Sequence, residues 1–223
     1  MGSATPGNLP DGSSGTDPAL NIDALLASAR SGAVDELGEL LESYRNYLSI
    51  LARTQINRRI RPRVSPSDVV QETMLEAFRD FNQFGGVTER QLMAWLRQIL
   101  INNLFRFIEQ HLNTGKRDAR LEIPIGELTD GINRTAMSFG QFFQSPTSSP
   151  SVSASRREVG VIISDLLTQL PPQYREVVIL RNLRGLSFDE IAAELERSSG
   201  AARMLWLRAI DRFRELCERS GLG

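Results

Sequence analysis

Between Arg184 and Arg214 the chain reads RGLSFDEIAAELERSSGAARMLWLRAIDRFR, a stretch that leaves little freedom in what it can fold into. Ser187 stands where a helix N-cap offers its hydroxyl to orphan amides, and Glu190, three residues on, completes a capping box. Phe188, Ile191, Ala192 and Leu195 recur at i, i+3, i+4 and i+7. That spacing gathers them on one face, with Asp189, Glu190, Ala193 and Glu194 on the others. After an interruption at Glu196-Arg197, Ser198 is placed to cap a second helix, whose first turn holds only Ser199, Gly200, Ala201 and Ala202 before Arg203. Small side chains let a helix start approach another surface closely. The pattern predicts a helix-turn-helix, in which the second helix enters the major groove N-terminus first and its amides, hydroxyls and arginines meet phosphates and base edges. A plain helical hairpin in an all-α core fits the same spacing.

Upstream the texture is helical as well. Residues 1–20 are rich in Gly, Ser and Pro, carry only Asp11 and Asp17 as charges, and are expected to be a disordered tail. From Ile22 the apolar period begins: Ile22, Leu25, Leu26 and Ala29 in a short helix, then Val34 through Leu51 in a long one, with Gly32 at the break. Arg58, Arg59, Arg61 and Arg63 form a basic loop closed by Pro62 and Pro66, which reads as a solvated turn or as a phosphate patch. Ser65 or Ser67 then caps a helix with Val69, Val70, Thr73, Met74, Ala77, Phe78 and Phe81 on its apolar side, and with Asp68, Gln71, Glu72 and Glu76 on the other. Asp68 and Glu72, four apart, repel weakly on a helix surface. A carboxylate-bridged metal site would want a Glu-x-x-His beside them, and none is present. The face is therefore solvated, or it docks a basic partner.

The loop NQFGGVTER, Asn82 to Arg90, is exposed by its pattern, and Gly85-Gly86 lets backbone approach a ligand. Gln91 to His111 reads as a helix with Leu92, Trp95, Leu96, Ile99, Leu100 and Leu104 inward. Arg97, Asn102, Asn103, Arg106 and Gln110 lie elsewhere on it, as groups able to meet base edges or phosphates. Ordinary solvation accounts for them equally. Residues 113–157 lose periodicity and end in SPTSSPSVSAS, which reads as a linker; its MSFGQFF patch, Met137 to Phe143, is apolar enough to dock, and nothing in the sequence says where. Val159 to Leu170 forms a helix stopped by Pro171-Pro172, and Tyr174 to Leu183 another.

The remaining composition excludes several classes. Cys217 is the only cysteine and His111 the only histidine, so neither a disulfide nor a zinc cluster is available within the chain. Cys217 reads as a small apolar residue and His111 as a solvated helix end. No apolar run reaches the roughly 18 residues of a membrane span. The start lacks the basic and apolar parts of a signal peptide, so a cytoplasmic location is expected. No cofactor and no membrane partner are expected.

Two segments resemble one family. Gly185, Leu186, Ser187, Glu190, Ile191, Ala192, Leu195, Ser198, Gly200, Arg203, Arg208 and Ala209 are similar to region 4 of the extracytoplasmic-function (ECF) group of sigma-70 family transcription initiation factors. The pattern is departed from at Glu196, where a turn glycine is usual, and at Leu205-Trp206, where a basic-apolar pair is common. DVVQETMLEAF, Asp68 to Phe78, is similar to the ECF region 2 signature, and LMAWLRQILINNL to the segment that follows it. The long arginine-bearing loop and the Ser-rich linker resemble a planctomycete-like subgroup.

The resemblance implies an all-α, two-domain, non-enzymatic sigma factor: tail 1–20, region 2 over 21–112, linker 113–157, region 4 over 158–223. It implies core RNA polymerase and promoter DNA as partners and leaves room for an anti-sigma factor. Asp68, Gln71 and Glu72 would contact polymerase. Gln83, Phe84, Gly85, Arg97, Asn102, Asn103 and Arg106 would meet the minus-10 element, where a loop captures a flipped base. Arg175, Ser198, Ser199, Gly200, Ala201, Arg203 and Arg208 would meet the minus-35 element. A duplex-binding regulator that works without polymerase, and a helical adaptor, are the other readings.

Charge bears on that choice. Residues 21–112 carry 11 Arg against 11 Asp plus Glu, and residues 158–223 carry 9 against 10. Non-specific DNA affinity comes mainly from displacing counterions with basic groups, so a chain without a basic surplus should bind duplex weakly on its own.

Overall fold

The computed structural model describes residues 22–57, 60–112, 124–139 and 158–221. The N-terminal tail, Arg58, Arg59, most of the segment 113–157 and the His111 side chain lie outside the described residues. Among the described residues the structure is all helical, without a strand.

Helices α1 (Ile22–Arg30) and α2 (Val34–Glu42) form a hairpin whose turn includes Gly32 at φ 97°. The single long helix expected from Val34 to Leu51 is instead broken at Ser43-Tyr44, after which α3 (Arg45–Gln55) begins. Ser43 Oγ turns back to donate to the Leu40 carbonyl at 2.7 Å, and the fully buried Tyr44 donates its hydroxyl to Glu89 at 3.0 Å. Both segments keep the helical period, so the period alone does not reveal the bend.

Helix α4 (Pro66–Asp80) starts with Pro66 in its first turn, where a missing N–H costs nothing. Ser65 holds the N-cap position, but its hydroxyl pairs with that of Ser67 at 2.7 Å rather than with a helix amide. A 3₁₀ turn, Phe81–Gln83, leads through the loop to α5 (Glu89–Leu112), which packs along α4.

The expectation of a segment without regular structure over 113–157 is corrected by α6 (Ile125–Ser138). It buries Leu128, Ile132 and Thr135, and Phe139 just beyond its end is fully buried too. Apolar side chains of this size contribute about 1.5–3 kcal/mol each when buried, enough to hold a helix that carries two internal glycines. The C-terminal part comprises α7 (Glu158–Gln169), α8 (Pro172–Val178) continued by a π-helical turn at Ile179–Leu183, α9 (Phe188–Leu195) and α10 (Ser199–Arg219).

Helix α3 is the hub. It packs on α4 and α5 from the N-terminal block and on α6 and α7 from the later chain. The buried side chains accordingly form one continuous cluster from Leu26 to Cys217. Cys217 is buried among them, and burial pushes its thiol above the usual value.

Candidate nucleic-acid interface

The C-terminal surface is built by two caps. Ser187 Oγ accepts from the Glu190 amide at 3.3 Å and Glu190 accepts from the Ser187 amide at 2.8 Å, so α9 starts where the sequence places it. Holding these bonds favours the charged carboxylate, and the Glu190 carboxyl lies below its ordinary pKa. Ser198 Oγ accepts from the Ala201 amide at 3.2 Å and starts α10. Between the two helices Glu196 adopts the left-handed conformation, φ 53° and ψ 47°, and the Arg197 amide donates to the Ala192 carbonyl at 2.9 Å. The turn geometry at this departure from the family pattern is thus retained without glycine.

Gly200, Ala201, Arg203 and Arg208 are exposed on α10, and Ser199 is half-buried, its hydroxyl bonded to Asp189. A cleft of about 450 Å³ opens between the helices, lined by Arg181, Ser187, Phe188, Asp189, Ser199, Gly200 and Arg203. The guanidinium groups of Arg181 and Arg203 lie 4.8 and 5.1 Å from the centre of the Phe188 ring. Trp206 meets that ring edge-on at 5.7 Å and donates to Asn182 at 2.9 Å. Cation–π contact of this kind holds an arginine over a ring while leaving its N–H groups to hydrogen-bond elsewhere. Sequence reasoning missed Arg181, Phe188 and Asp189 as cleft residues. Their signal was the capped helix start itself, which brings the first turn of α9 against that of α10.

Arg175 does not join this surface. Its Nε donates to the Leu167 carbonyl at 3.0 Å and a terminal nitrogen donates to those of Thr168 and Leu170 at 2.8 and 3.2 Å, closing the C-terminal end of α7. Burial holds its pKa below the ordinary arginine value.

In the N-terminal block Asp68 and Gln71 are exposed on the outer face of α4, continued by exposed Leu75 and Phe78. Glu72 is half-buried and accepts from Arg106 of α5 at 3.1 Å. Of the residues expected on the minus-10 surface, Gln83, Gly85, Asn102 and Arg106 are exposed. Phe84 and Asn103 are corrected. Phe84 turns inward, 5.8 Å from Phe81 and 5.1 Å from Trp95 between ring centres, so Trp95 belongs to an aromatic cluster as expected. Asn103 is buried and pins α5 to α4, donating to Glu76 at 3.0 Å and to Thr73 at 3.4 Å and accepting from Arg106. Arg97 and Arg106 are nine residues apart, half a helical circumference. They border the exposed strip of Ala94, Gln98 and Asn102 from opposite sides. Arg97 donates to the Tyr47 hydroxyl at 3.1 Å, while its Nε is buried without a hydrogen-bond partner. In the basic loop, Arg61 is paired with Glu176 of α8 at 2.5 Å.

Residues 161–212 match the family model described as Sigma-70, region 4, so the helix-turn-helix is of the sigma-70 type. The chain is 29% identical over 186 residues to the ECF RNA polymerase sigma factor BldN of Streptomyces coelicolor, covering 83% of this chain and 62% of that protein. It is 26% identical over 194 residues to ECF RNA polymerase sigma factor SigD of Mycobacterium tuberculosis, covering 87% and 82%. The ECF RNA polymerase sigma-E factor of Haemophilus influenzae is 26% identical over 190 residues, covering 85% and 92%. A solved RsbN-BldN complex aligns at 23% identity with a TM-score of 0.28, covering 86% of this chain and 98% of that one. The chain is thus similar to ECF sigma factors of the sigma-70 family, with region 4 the part that the family model matches. It spans less than two thirds of the length of BldN.

Proposed function

We propose that this protein is a sigma factor: a non-enzymatic subunit that binds core RNA polymerase, recognises promoter minus-10 and minus-35 elements and assists strand opening. The observation that carries it is the co-occurrence of two exposed and separate surfaces. One is the outer face of α4, with Asp68 and Gln71 within the region 2 signature; the other is the start of α10, with Gly200, Ala201 and Arg203 open to solvent. A duplex-binding regulator has no use for the first, and an adaptor has none for the second. Gln83, Gly85, Asn102 and Arg106 remain the surface for the minus-10 element. Residues 21–112 and 158–223 act as separable units under this reading. The site of action is the cytoplasm, and an anti-sigma protein is a further partner of the kind such a factor takes.

The near-neutral charge fits a subunit. Polymerase supplies the basic surface and holds both blocks beside the DNA, making their binding effectively intramolecular. Run-off transcription by purified core polymerase on promoters of the host, with and without this protein, tests the reading: promoter-specific transcripts are expected only when it is added. Tight, sequence-selective duplex binding by the protein alone near physiological salt, without any effect on start sites, would favour the regulator. Asp68→Lys should weaken capture by core polymerase while leaving helical content unchanged, because Asp68 is exposed.

A further inference from the structure

The outward line of α10 is apolar where a solvated helix is polar. Ala202, Leu205, Ala209, Phe213 and Leu216 are buried, and Trp206 and Ile210 pack against the core. Opposite them Gly200, Met204, Leu207 and Asp211 follow at i, i+4, i+7 and i+11 and share one line along the helix. Met204 is 50% exposed and Leu207 42%. Arg203 and Arg208, both exposed, stand on the two sides of that line, each roughly 70° from it at 3.6 residues per turn. The Phe188 ring steadies Arg203 in its place.

Gly200 opens the line. It lies within the helix, and a Cβ there would meet nothing within 4 Å. Glycine weakens a helix relative to alanine, so neither packing nor propensity accounts for it. A bare backbone at that point lets the start of α10 come closer to whatever lies opposite.

An apolar line between two guanidinium groups fits the major groove. The groove is about 12 Å wide and admits one α-helix, so the flanking arginines face its phosphate-lined walls and the central line faces the base edges. Those edges carry donors and acceptors, and the C5 methyl of thymine is the apolar group among them. Met204 and Leu207 bring no hydrogen-bond donor and at most a weak thioether acceptor. Laid over an amino or carbonyl edge, they would strip it of water without replacing its bond. Over a methyl group, both sides gain by leaving water. From Gly200 to Leu207 the line runs about 10 Å at ~1.5 Å per residue, the length of about three base pairs. Asp211, paired with Arg214 at 3.5 Å, ends it with a carboxylate that phosphate repels.

We infer that Met204 and Leu207 are specificity-determining residues of the minus-35 surface, and that they select thymine by covering its C5 methyl group in the major groove. The inference rests on the sigma-factor reading above and deepens it, from the element that α10 meets to the base it requires there. Arg203 and Arg208 hold the helix in the groove, and the apolar line between them reads.

Deoxyuridine differs from thymidine only in lacking that methyl group. The test replaces thymine by uracil, one position at a time, in the minus-35 element of promoters that give run-off transcripts with this protein and core polymerase. Each thymine whose methyl is covered should, as uracil, lower the affinity of the polymerase complex by about fourfold, the factor that burying one methyl group corresponds to. Met204→Ala and Leu207→Ala should each abolish the difference at a position of their own, binding both templates as the wild-type protein binds the uracil one. Their urea midpoints should stay as they were, because both side chains are exposed. Equal affinity of the wild-type complex for thymine and uracil at every position would overturn the proposal without recourse to a variant. So would a minus-35 element that lacks thymine, or a difference that survives in both variants. Loss of core-polymerase capture by either variant in the absence of DNA would overturn it too, since the face would then belong to a protein contact. If the wild-type protein directs no promoter-specific transcripts at all, the sigma-factor reading fails, and this inference with it.

Discussion

The two candidate DNA surfaces differ in what their polar groups are doing. At the start of α10 the side chains that could meet DNA are exposed apart from half-buried Ser199, and the bonds they make, Ser198 to an amide and Arg203 over Phe188, orient them without burying them. Along α5 the corresponding groups are largely taken up by the protein itself: Asn103 by Glu76 and Thr73, Arg106 by Glu72, Arg97 by Tyr47. One surface is preorganised, and the other doubles as the seam between helices. A substitution along the seam should therefore act first on stability, and one in the cleft first on binding.

Asn103 gives the largest expected effect. Its amide is the buried link between α4 and α5, and removing it leaves Glu76 and Thr73 without that donor. Asn103→Ala should destabilise the fold by about 2–3 kcal/mol in a urea titration, the cost of losing a buried amide's bonds to the buried Thr73 hydroxyl and the half-buried Glu76 carboxylate. Unchanged stability with altered minus-10 selectivity would reverse the comparison and return Asn103 to the DNA surface.

Arg203 is the counterpart in the cleft. If it contacts a guanine edge, Arg203→Ala should cost about 1–3 kcal/mol of affinity and relax specificity at one base; if it contacts phosphate, it should weaken all sequences alike and lower the salt slope by about 1. The measurement is an anisotropy titration of the polymerase complex across salt concentrations. Folding stability should barely move, because the side chain is exposed.

The contrast between the two surfaces also marks how far the sequence could be read. The helix-turn-helix was legible because its signals are local: capping at Ser187 and Ser198 and a small-residue turn at Ser199 to Ala202. The all-helical class followed from periodicity. Helix α6 was not legible, since Leu128, Ile132, Thr135 and Phe139 do keep a helical spacing but are diluted by Gly126, Gly131 and Asn133, and what stabilises them is the surface of α3 across the seam. Asn103 and Phe84 were assigned outward for a related reason. Spacing tells which residues share a face, but not which element stands opposite. The bend at Tyr44 was hidden in the same way: the Tyr44 hydroxyl bonds there to Glu89, 45 residues further on.

Arg175 sharpens the comparison from within the C-terminal part, because it sits one helix from the cleft yet behaves like a seam residue. Its bonds to the Leu167 and Thr168 carbonyls of α7, and to that of Leu170 just beyond it, satisfy acceptors that a helix end otherwise leaves open. Arg175→Met keeps most of the aliphatic bulk and removes those bonds. It should destabilise by about 1–2 kcal/mol in thermal or urea unfolding. The salt slope of DNA binding by the polymerase complex should stay as it was, and a fall of about 1 would show instead that Arg175 contacts phosphate.

The smallest effect belongs to Glu196, the one residue other than glycine with positive φ among those described. A Cβ in the left-handed region crowds the following carbonyl, at a cost of roughly 1–2 kcal/mol that glycine does not incur. Glycine, however, loses more conformational entropy on folding, which offsets part of the gain. Gly185, at φ 71° just ahead of α9, shows the usual solution to such a turn in the same motif. Glu196→Gly should therefore raise stability by about 0.5–1 kcal/mol, measured by urea unfolding. Affinity for the minus-35 element should be unchanged, since Glu196 already supplies the backbone geometry that orients α10. A tighter complex without added stability would mean that the glutamate charge, rather than the turn, is what the substitution removes. The cleft would then be tuned by repulsion of phosphate at its edge, a role that Glu196→Gln separates from backbone strain because it removes the charge and keeps the Cβ.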